Sequence, residues 1–151
     1  MSQETSVPVF SEAVPELLTE HFTHLSEGSG IDIDIIKERG YRSVMGKAEL
    51  ERLGFGPAQQ RAPGLLVRLR SVDGQEAGWQ FRPDYPRSNR GKPIKYESPA
   101  GCSNRLDCPP RCKDMIGNPQ VPLWITEGSK KADALATHGA CAISVTGVWG
   151  F

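Results

Sequence analysis

The period of the polar and apolar positions changes part-way along this chain. In the first part Leu18, Phe22 and Leu25 recur at helical spacing. The segment IDIDIIKERG, which ends in Gly40, predicts a second short helix, because a glycine commonly follows the last helical residue. A third helix is predicted over residues 47–53. The beginning of the chain therefore reads as a set of short helices.

Beyond these helices the pattern becomes that of strands. LLVRLRSV alternates from Leu65, Asp73-Gly74 is a strong hairpin signal, and EAGWQF resumes as the return strand. PIKYES predicts a third strand. The proline-rich stretch from Pro99 to Pro122 shows little periodicity and predicts a long irregular connection.

The last patterned segment is PLWITEGSKKADALATHGACAISVTG. It predicts a strand over residues 123–126, a helix over about 129–138 and a second strand over 141–146, which is a βαβ unit with parallel strands. Glu127 lies at the carboxyl end of the first strand, where α/β proteins gather their ligands. Its carboxylate either caps the helix that follows or serves chemistry, as a Mg²⁺ ligand or a general acid or base.

These elements together predict an α/β protein with short N-terminal helices, a small antiparallel sheet and a final βαβ unit. A chain of 151 residues suits one domain with a small N-terminal attachment. The predicted segments are a disordered N-terminus (1–14), a helical lead-in (15–60), antiparallel strands with a basic loop (61–120) and the βαβ unit (121–151).

The charges of the chain cancel overall but not locally. Eighteen basic and eighteen acidic residues give no net charge. Between Arg82 and Lys95, however, the only acid is Asp84. This basic stretch either is a solvated loop or follows a phosphate backbone, with Tyr85 and Tyr96 available to stack on bases. The candidate nucleic-acid contacts are Arg82, Arg87, Arg90, Lys92, Lys95 and Tyr96, with Lys130 and Lys131 further along the chain.

Other features narrow the environment of the protein. No apolar run approaches the roughly 18 residues of a membrane span, and the N-terminus lacks the pattern of a secretory signal, so we expect a cytoplasmic protein with free thiols. The spacing of Cys102, Cys108 and Cys112 fits structural zinc poorly, and Cys141 is predicted in the core. Trp79 and Trp124 are also predicted in the core. The histidines are predicted on helix surfaces: His21, His24 and His138.

The order LWITEG, KKADALATHG and AISVTG resembles the opening of a Toprim domain, the metal-binding unit of primases and topoisomerases. The resemblance implies that Glu127 lies close to Mg²⁺, with Lys130 and Lys131 in the first turn of the helix after it. Upstream, LLVRLRSVDGQEAGWQFRP and PIKYESP are similar to the segment that precedes the Toprim unit in bacterial DnaG-type primases. There the resemblance implies a nucleic-acid groove lined by Arg82, Lys95 and Tyr96.

The same run also resembles replication proteins of phages, plasmids and integrative elements, and the likeness covers residues 25–151. One part of the pattern departs from the family. A complete Toprim unit has a later strand that ends in Asp-x-Asp, whereas the Asp32-Ile33-Asp34 of this chain lies far upstream. The Mg²⁺ site is therefore expected to be incomplete, and these residues are expected to be inactive alone.

Two functions follow as expectations. In the first, the chain is the nucleic-acid-binding N-terminal portion of a primase-like replication protein of a mobile element. It would bind single-stranded DNA or a DNA–RNA hybrid, and its partner would be a helicase or the C-terminal part of the same protein. In the second, it is a shortened relative, a non-catalytic protein-interaction module of phage or plasmid origin. Independently of this choice, Trp149 and Phe151 are expected to mark a surface where further chain would pack.

Overall fold

The computed structural model describes residues 6–146. The helices are α1 (Thr19–Thr23, extended by a π-helical turn, His24–Gly28), α2 (Ile33–Arg39), α3 (Lys47–Arg52) and α4 (Ser129–Thr137), with 3₁₀ turns at Pro57–Gln59 and Pro110–Met115. The strands are β1 (Arg42–Val44), β2 (Gly64–Arg70), β3 (Glu76–Pro83), β4 (Ser88–Asn89), β5 (Lys92–Pro93), β6 (Leu123–Glu127) and β7 (Cys141–Val145). The expectation for Trp149 and Phe151 lies outside the described residues.

The predicted α/β architecture is confirmed. Strands β1, β2 and β3 form an antiparallel sheet in that order, and β4 and β5 form a short antiparallel ribbon. Strands β6 and β7 are parallel neighbours, and α4 connects them. The helices α2 and α3 lie where the pattern places them, and Gly40 ends α2 with a φ of 75°. The first helix begins at Thr19, later than the predicted first turn, because residues 11–17 fold into turns.

The central hairpin of the sheet depends on one close approach between strands. Gly64 pairs with Pro83 across β2 and β3. A Cβ atom at Gly64 would lie 2.5 Å from the Phe81 ring and 2.5 Å from the Arg82 carbonyl oxygen. Only glycine fits at this position, and the close contact fixes the strand that carries Arg82.

The predicted strand PIKYES is wrong in its extent. Lys92 and Pro93 belong to β5, which pairs with β4 rather than with the main sheet. The remainder of the segment touches that sheet at a single bridge, where Glu97 and Phe81 exchange two backbone hydrogen bonds of 2.8 Å each. Turn residues at Arg90-Gly91 reverse the chain locally, and this tight ribbon takes the place of a longer strand.

The N-terminal segment is more ordered than its polar composition suggests. Phe10 forms a bridge with Leu18, the Ser11 N–H donates to the Leu17 carbonyl at 2.7 Å, and Val14 is buried. Within the part of residues 1–14 that the structure describes, the predicted disorder is therefore wrong from Phe10 onward. The apolar side chains of this segment reach the main core, and that burial outweighs its polar flanks.

One buried core joins the predicted segments. It contains Leu17 and Leu25 from the first helical region, Ile35 from α2, Leu65 from β2 and Ile143 from β7. A smaller cluster under α3 includes an edge-to-face ring pair between Phe55 and Phe81, whose centroids are 5.9 Å apart. The predicted segments pack as neighbours around shared apolar side chains.

A buried ionic network fastens α4 to the rest of the fold. The guanidinium of Arg39 donates to Asp133 at 2.7 Å and to Asp107 at 2.5 Å, and all three side chains are almost inaccessible to solvent. The Tyr41 hydroxyl also donates to Asp133 at 2.5 Å. Burial alone would lower the pKa of Arg39, but the two carboxylates raise it above its usual range, so Arg39 holds its charge. The network fixes the helix that begins beside Glu127.

The prediction that Trp124 lies in the core is wrong. Leu123, Trp124 and Ile125 are 48 %, 55 % and 58 % exposed. Among residues 6–146 strand β6 pairs only with β7, so its other edge and parts of both faces are open. Trp79 is half-buried and lies between the guanidinium groups of Arg42 and Arg68. Within the described part of the chain, none of the helices is long and apolar enough to cross a bilayer.

Candidate nucleic-acid interface

The end of β3 and the start of α4 face each other across a cavity of about 730 Å³. Most of the residues proposed from sequence meet there: Arg82, Lys95, Tyr96, Glu127, Lys130 and Lys131 all line it. These residues come from three separated parts of the chain, which β3, the segment after β5 and the βαβ unit bring together. The cavity is therefore the candidate functional site.

The turn between β6 and α4 gives the cavity its floor. Gly128 has a φ of 83° and a ψ of 140°, a conformation that side-chain-bearing residues rarely adopt, and its N–H donates to the Val145 carbonyl at 2.9 Å. This turn ends β6 and starts α4 at once. The Glu127 side chain remains exposed at the cavity, and the N-cap position of α4 is Gly128 rather than Glu127.

Lys130 extends from the first turn of α4 across the cavity wall. Its Nζ lies 2.7 Å from Nε2 of His24 and 5.7 Å from the centroid of the Tyr96 ring. Burial, with the charges of Arg82 and Lys95 beside it, lowers the pKa of Lys130 to about 8. Burial and the nearby Lys130 charge lower the pKa of His24 to about 4, so the neutral imidazole accepts a hydrogen bond from the ammonium.

Ser129 supplies a donor that has no partner among the described residues. The residue is 3 % exposed, it lines the cavity, and its Oγ makes no hydrogen bond to the described part of the chain. Buried hydroxyls in folded proteins are nearly always hydrogen-bonded. The first N–H groups of α4 also lack acceptors within the helix. Unused donors therefore converge at this end of the cavity.

The basic ribbon, residues 87–93, stands beside the cavity as a tight hairpin. Arg90 and Gly91 have φ values of 51° and 77°, the positive values that a two-residue hairpin turn requires. Arg90 and Lys92 are exposed. Arg87, also a candidate phosphate contact, instead donates to the buried carboxylate of Glu97 at 2.6 and 2.9 Å. Its guanidinium is paired with this carboxylate although the Arg87 side chain is 37 % exposed, whereas the side chains of Arg90 and Lys92 are exposed and form no ion pair with the described residues.

Of the histidines predicted on helix surfaces, His138 is exposed, whereas His21 is buried. His21 is 4 % exposed, with Nδ1 2.6 Å from Ser43 Oγ and Nε2 2.8 Å from Asp84 Oδ1. A carboxylate only accepts hydrogen bonds. His21 Nε2 therefore carries a hydrogen and donates a hydrogen bond to Asp84. The predicted surface position is wrong for His21, because Ser43 and Asp84 from other parts of the chain contact this side of the helix. The pair fixes Asp84 at the rim of the cavity.

Two groups of residues bear on metal binding. Glu20, His21 and Asp84 approach one another closely enough to share an ion, and both ring nitrogens of His21 are within hydrogen-bond distance of Ser43 and Asp84. Glu127 belongs to no group of three possible ligands within residues 6–146. One exposed carboxylate among several cations does not hold Mg²⁺, which takes several oxygen ligands. The described residues therefore do not fit a complete magnesium site.

Three of the four cysteines are buried and all four are free thiols. Burial raises the pKa of Cys108 to about 12 and raises that of Cys112 above its usual range. Both thiols are thus protonated at neutral pH, and thiolate is the form that ligates metal. Cys141 lies in the core as predicted, whereas Cys102 is exposed.

Comparison with known proteins gives two sequence matches. A domain family described as a domain of unknown function (DUF3854) matches residues 113–151. An uncharacterised protein of Picosynechococcus sp. is 29 % identical over 175 aligned residues, which cover 85 % of this chain and 17 % of that protein. The chain thus spans a small part of the length of its curated relative.

Solved structures give a more distant but longer likeness. The primase of Aquifex aeolicus (zinc-binding and RNA polymerase domains) superposes with a TM-score of 0.64 at 14 % identity, over 85 % of this chain and 37 % of that one. The RNA polymerase domain of the Mycobacterium tuberculosis primase DnaG also gives 0.64, at 15 % identity over 93 % and 52 %. A DnaG catalytic domain bound to ssDNA gives 0.55 at 16 % identity over 84 % and 46 %. The chain has a primase-like fold and spans about half or less of these structures.

The sequence left parts of this site unassigned. His24, Ser129 and Asp84 line the cavity as well. His24 comes from the helical lead-in, more than a hundred positions before Lys130. No local spacing connects the two residues. Asp84 had a visible signal, since it is the one acid in a basic stretch, and its hydrogen bond to His21 explains its presence there.

Proposed function

We propose that this chain is the nucleic-acid-binding portion of a primase-like replication protein of mobile-element type, which binds single-stranded DNA or a DNA–RNA hybrid in the cavity. One observation carries the proposal. Arg82, Lys95 and Tyr96, the residues that resemble the groove of DnaG-type primases, line one cavity with Glu127. The ssDNA-bound state of one structural neighbour supports the same class of ligand.

The charges at the site suit a phosphate backbone. Arg90, Lys92 and Lys95 are exposed and lie on the ribbon or just after it, so each can reach a phosphate without breaking an internal ion pair. Tyr96 stands beside Lys130 at the cavity wall and offers a ring face for a base. A continuing chain or a helicase would complete the assembly in this proposal. Alone, with one carboxylate at the strand end, the described residues supply binding and no nucleotidyl transfer.

Binding of a labelled single strand at several salt concentrations tests the proposal. Replacing Arg90, Lys92 and Lys95 with alanine should weaken binding and reduce the slope of log affinity against log salt by about 2, since each lost contact to a single strand lowers it by about 0.7. In a control variant, alanine replaces three exposed cations that do not line the cavity: Lys37, Lys47 and Arg52. Equal slopes for the two triple variants would contradict the nucleic-acid assignment.

A second candidate function rests on a different surface. The exposed apolar side chains of β6, Leu123, Trp124 and Ile125, are typical of a protein contact. They favour a non-catalytic interaction module on the same scaffold. Trp124→Lys separates the two functions, because it should abolish a partner contact through β6 and leave the salt dependence of DNA binding unchanged.

A further inference from the structure

The cavity holds more positive charge than its own acids balance. Its cations are Arg82, Lys95, Lys130 and Lys131. Among the described residues two carboxylates line it, Asp84 and Glu127, and Asp84 already accepts the Nε2–H of His21 at 2.8 Å. Like charges gathered in a concave site repel one another and attract a counter-ion. The composition of the cavity thus calls for an anion.

Lys130 is the cation whose side chain is held most firmly at the cavity. Its side chain is half-buried, and the hydrogen bond of 2.7 Å from Nζ to His24 Nε2 holds the ammonium at the cavity wall. The Tyr96 ring covers another side of Nζ at 5.7 Å. A surface lysine would turn its charge out to water, whereas Lys130 keeps its charge directed at the cavity.

A second and independent observation lies next to Lys130. Ser129 Oγ is buried and has no partner among residues 6–146, although it lines the same cavity. An unused buried hydroxyl is unfavourable unless a ligand accepts from it. The helix α4 begins at this residue and runs for 9 residues, so its positive end adds to the same place.

We infer that Ser129 and Lys130 bind an oxygen of a phosphate ester at the start of α4, and that His24 is the positioning residue that holds Lys130 Nζ there. The inference rests on the proposed nucleic-acid binding and adds a defined phosphate position to it. This position lies on the βαβ unit, apart from the ribbon contacts of Arg90 and Lys92.

The site should respond to pH in a specific range. The groups that face Lys130 are His24 from the turn after α1, Arg82 from β3, and Lys95 and Tyr96 from the segment after β5. Since the pKa of Lys130 is lowered to about 8, its charge is present below that pH and lost above it. His24, with a pKa of about 4, stays neutral throughout that range. Phosphate binding should weaken as the pH rises through about 8.

Fluorescence anisotropy with a short oligodeoxycytidylate tests this, because its diester phosphates keep their charge from about pH 6.5 to about pH 9.5. Wild-type affinity should fall with a midpoint near pH 8, as Lys130 loses its proton. Lys130→Ala should bind about tenfold more weakly at low pH and show no midpoint. Lys130→Arg should bind well and stay flat, and Lys47→Arg, at an exposed lysine of α3 outside the cavity, should keep the wild-type profile.

The role of His24 needs its own pair of variants. His24→Leu removes the acceptor of the Nζ hydrogen bond and should weaken binding several-fold, whereas His24→Gln offers an amide oxygen and should restore most of it. Thermal unfolding of both variants shows whether they fold. If His24→Leu and His24→Gln both fold and bind the strand equally well, His24 does not position Lys130.

A further comparison distinguishes the two sources of phosphate. An oligonucleotide with a 5′-phosphate that binds more tightly than its 5′-hydroxyl form, with the difference lost in Lys130→Ala, assigns the site to a strand terminus. Equal affinities, both weakened by Lys130→Ala, assign it to the internal backbone. Wild-type binding without a pH midpoint, unchanged in Lys130→Ala, would overturn the phosphate site alone. Failure of the wild type to bind any strand at low salt would instead overturn the proposed function.

Discussion

Replacement of Arg39 with methionine is the strongest test of the fold that holds the candidate site. Methionine keeps the apolar stem but removes every hydrogen bond from the guanidinium to Asp133 and Asp107. Asp133 would keep only its bond from the Tyr41 hydroxyl, and Asp107 would keep the Arg70 N–H and the Ser144 hydroxyl. Two carboxylates would then lie buried without a cation.

The size of the effect follows from this geometry. Breaking a buried ion pair from one side destabilises a protein by about 3–5 kcal/mol, because the partner charge stays buried. Whole domains are stable by about 5–15 kcal/mol. For a chain of this length each kcal/mol shifts the melting temperature by about 2–4 °C, so Arg39→Met should melt roughly 6–20 °C lower. Unfolding in guanidinium chloride measures the change in the free energy of unfolding, and thermal unfolding measures the melting temperature. Circular dichroism follows both transitions.

The same variant should show a pH dependence of known sign. Burial raises the pKa of Asp133, and the positive charge of Arg39 opposes that rise. Without Arg39, the folded protein binds a proton at Asp133 more readily than the unfolded chain does. Stability then increases as the pH falls, so the deficit of Arg39→Met should be smaller at about pH 5 than at about pH 8.

Arg111→Met provides a matched control. Arg111 also makes two hydrogen bonds to one carboxylate, that of Glu38, at 2.7 and 3.1 Å, but both side chains are more than a third exposed. Exposed pairs contribute about 0–1 kcal/mol. Equal losses of stability in the two variants would refute the reasoning, because burial would then make no difference to the energy of the ion pair.

Four further substitutions separate local causes. Gly64→Ala should destabilise by about 1–3 kcal/mol in denaturant unfolding, because its Cβ would lie 2.5 Å from neighbouring atoms, whereas a Cβ at Gly28 would lie 3.7 Å from the nearest atom, so Gly28→Ala should cost little. Glu127→Gln should leave the melting temperature unchanged, since the side chain is exposed; a loss of about 1 kcal/mol or more would make it a helix cap. His21→Leu should destabilise by about 1–3 kcal/mol by leaving Asp84 without its donor, and an unchanged midpoint would contradict that pairing.

The sequence predicted the elements whose signals are local. Helix α2 before Gly40, the hairpin at Asp73-Gly74 and the parallel βαβ unit at Glu127 all lie where the pattern places them. Each depends on residues within about 30 positions, so periodicity and turn chemistry suffice to define it. The resemblance to primases also brought Arg82, Lys95 and Tyr96 into one group, and the structure brings them into one cavity.

The differences between sequence and structure share one cause: each depends on residues that are far away in the sequence. Trp124 has a strand pattern that is typical of a buried residue, but exposure depends on which neighbours the strand has. His21 is polar, yet Ser43 and Asp84 provide partners from 22 and 63 positions away. Arg87 has the pattern of an unpaired cation, but Glu97 accepts two hydrogen bonds from its guanidinium. A single sequence shows the charge of a residue but not the partner that satisfies it.

The open strand β6 also governs how this chain behaves in concentrated solution. Its outer edge carries unpaired N–H and C=O groups within the described part of the chain, beside exposed Leu123, Trp124 and Ile125. Such an edge is a template for pairing with a second copy. With a pI near 6.8, molecules repel one another least close to neutral pH. Self-association through β6 should therefore be strongest near the pH at which most proteins are stored, and Trp124 emission would report it directly.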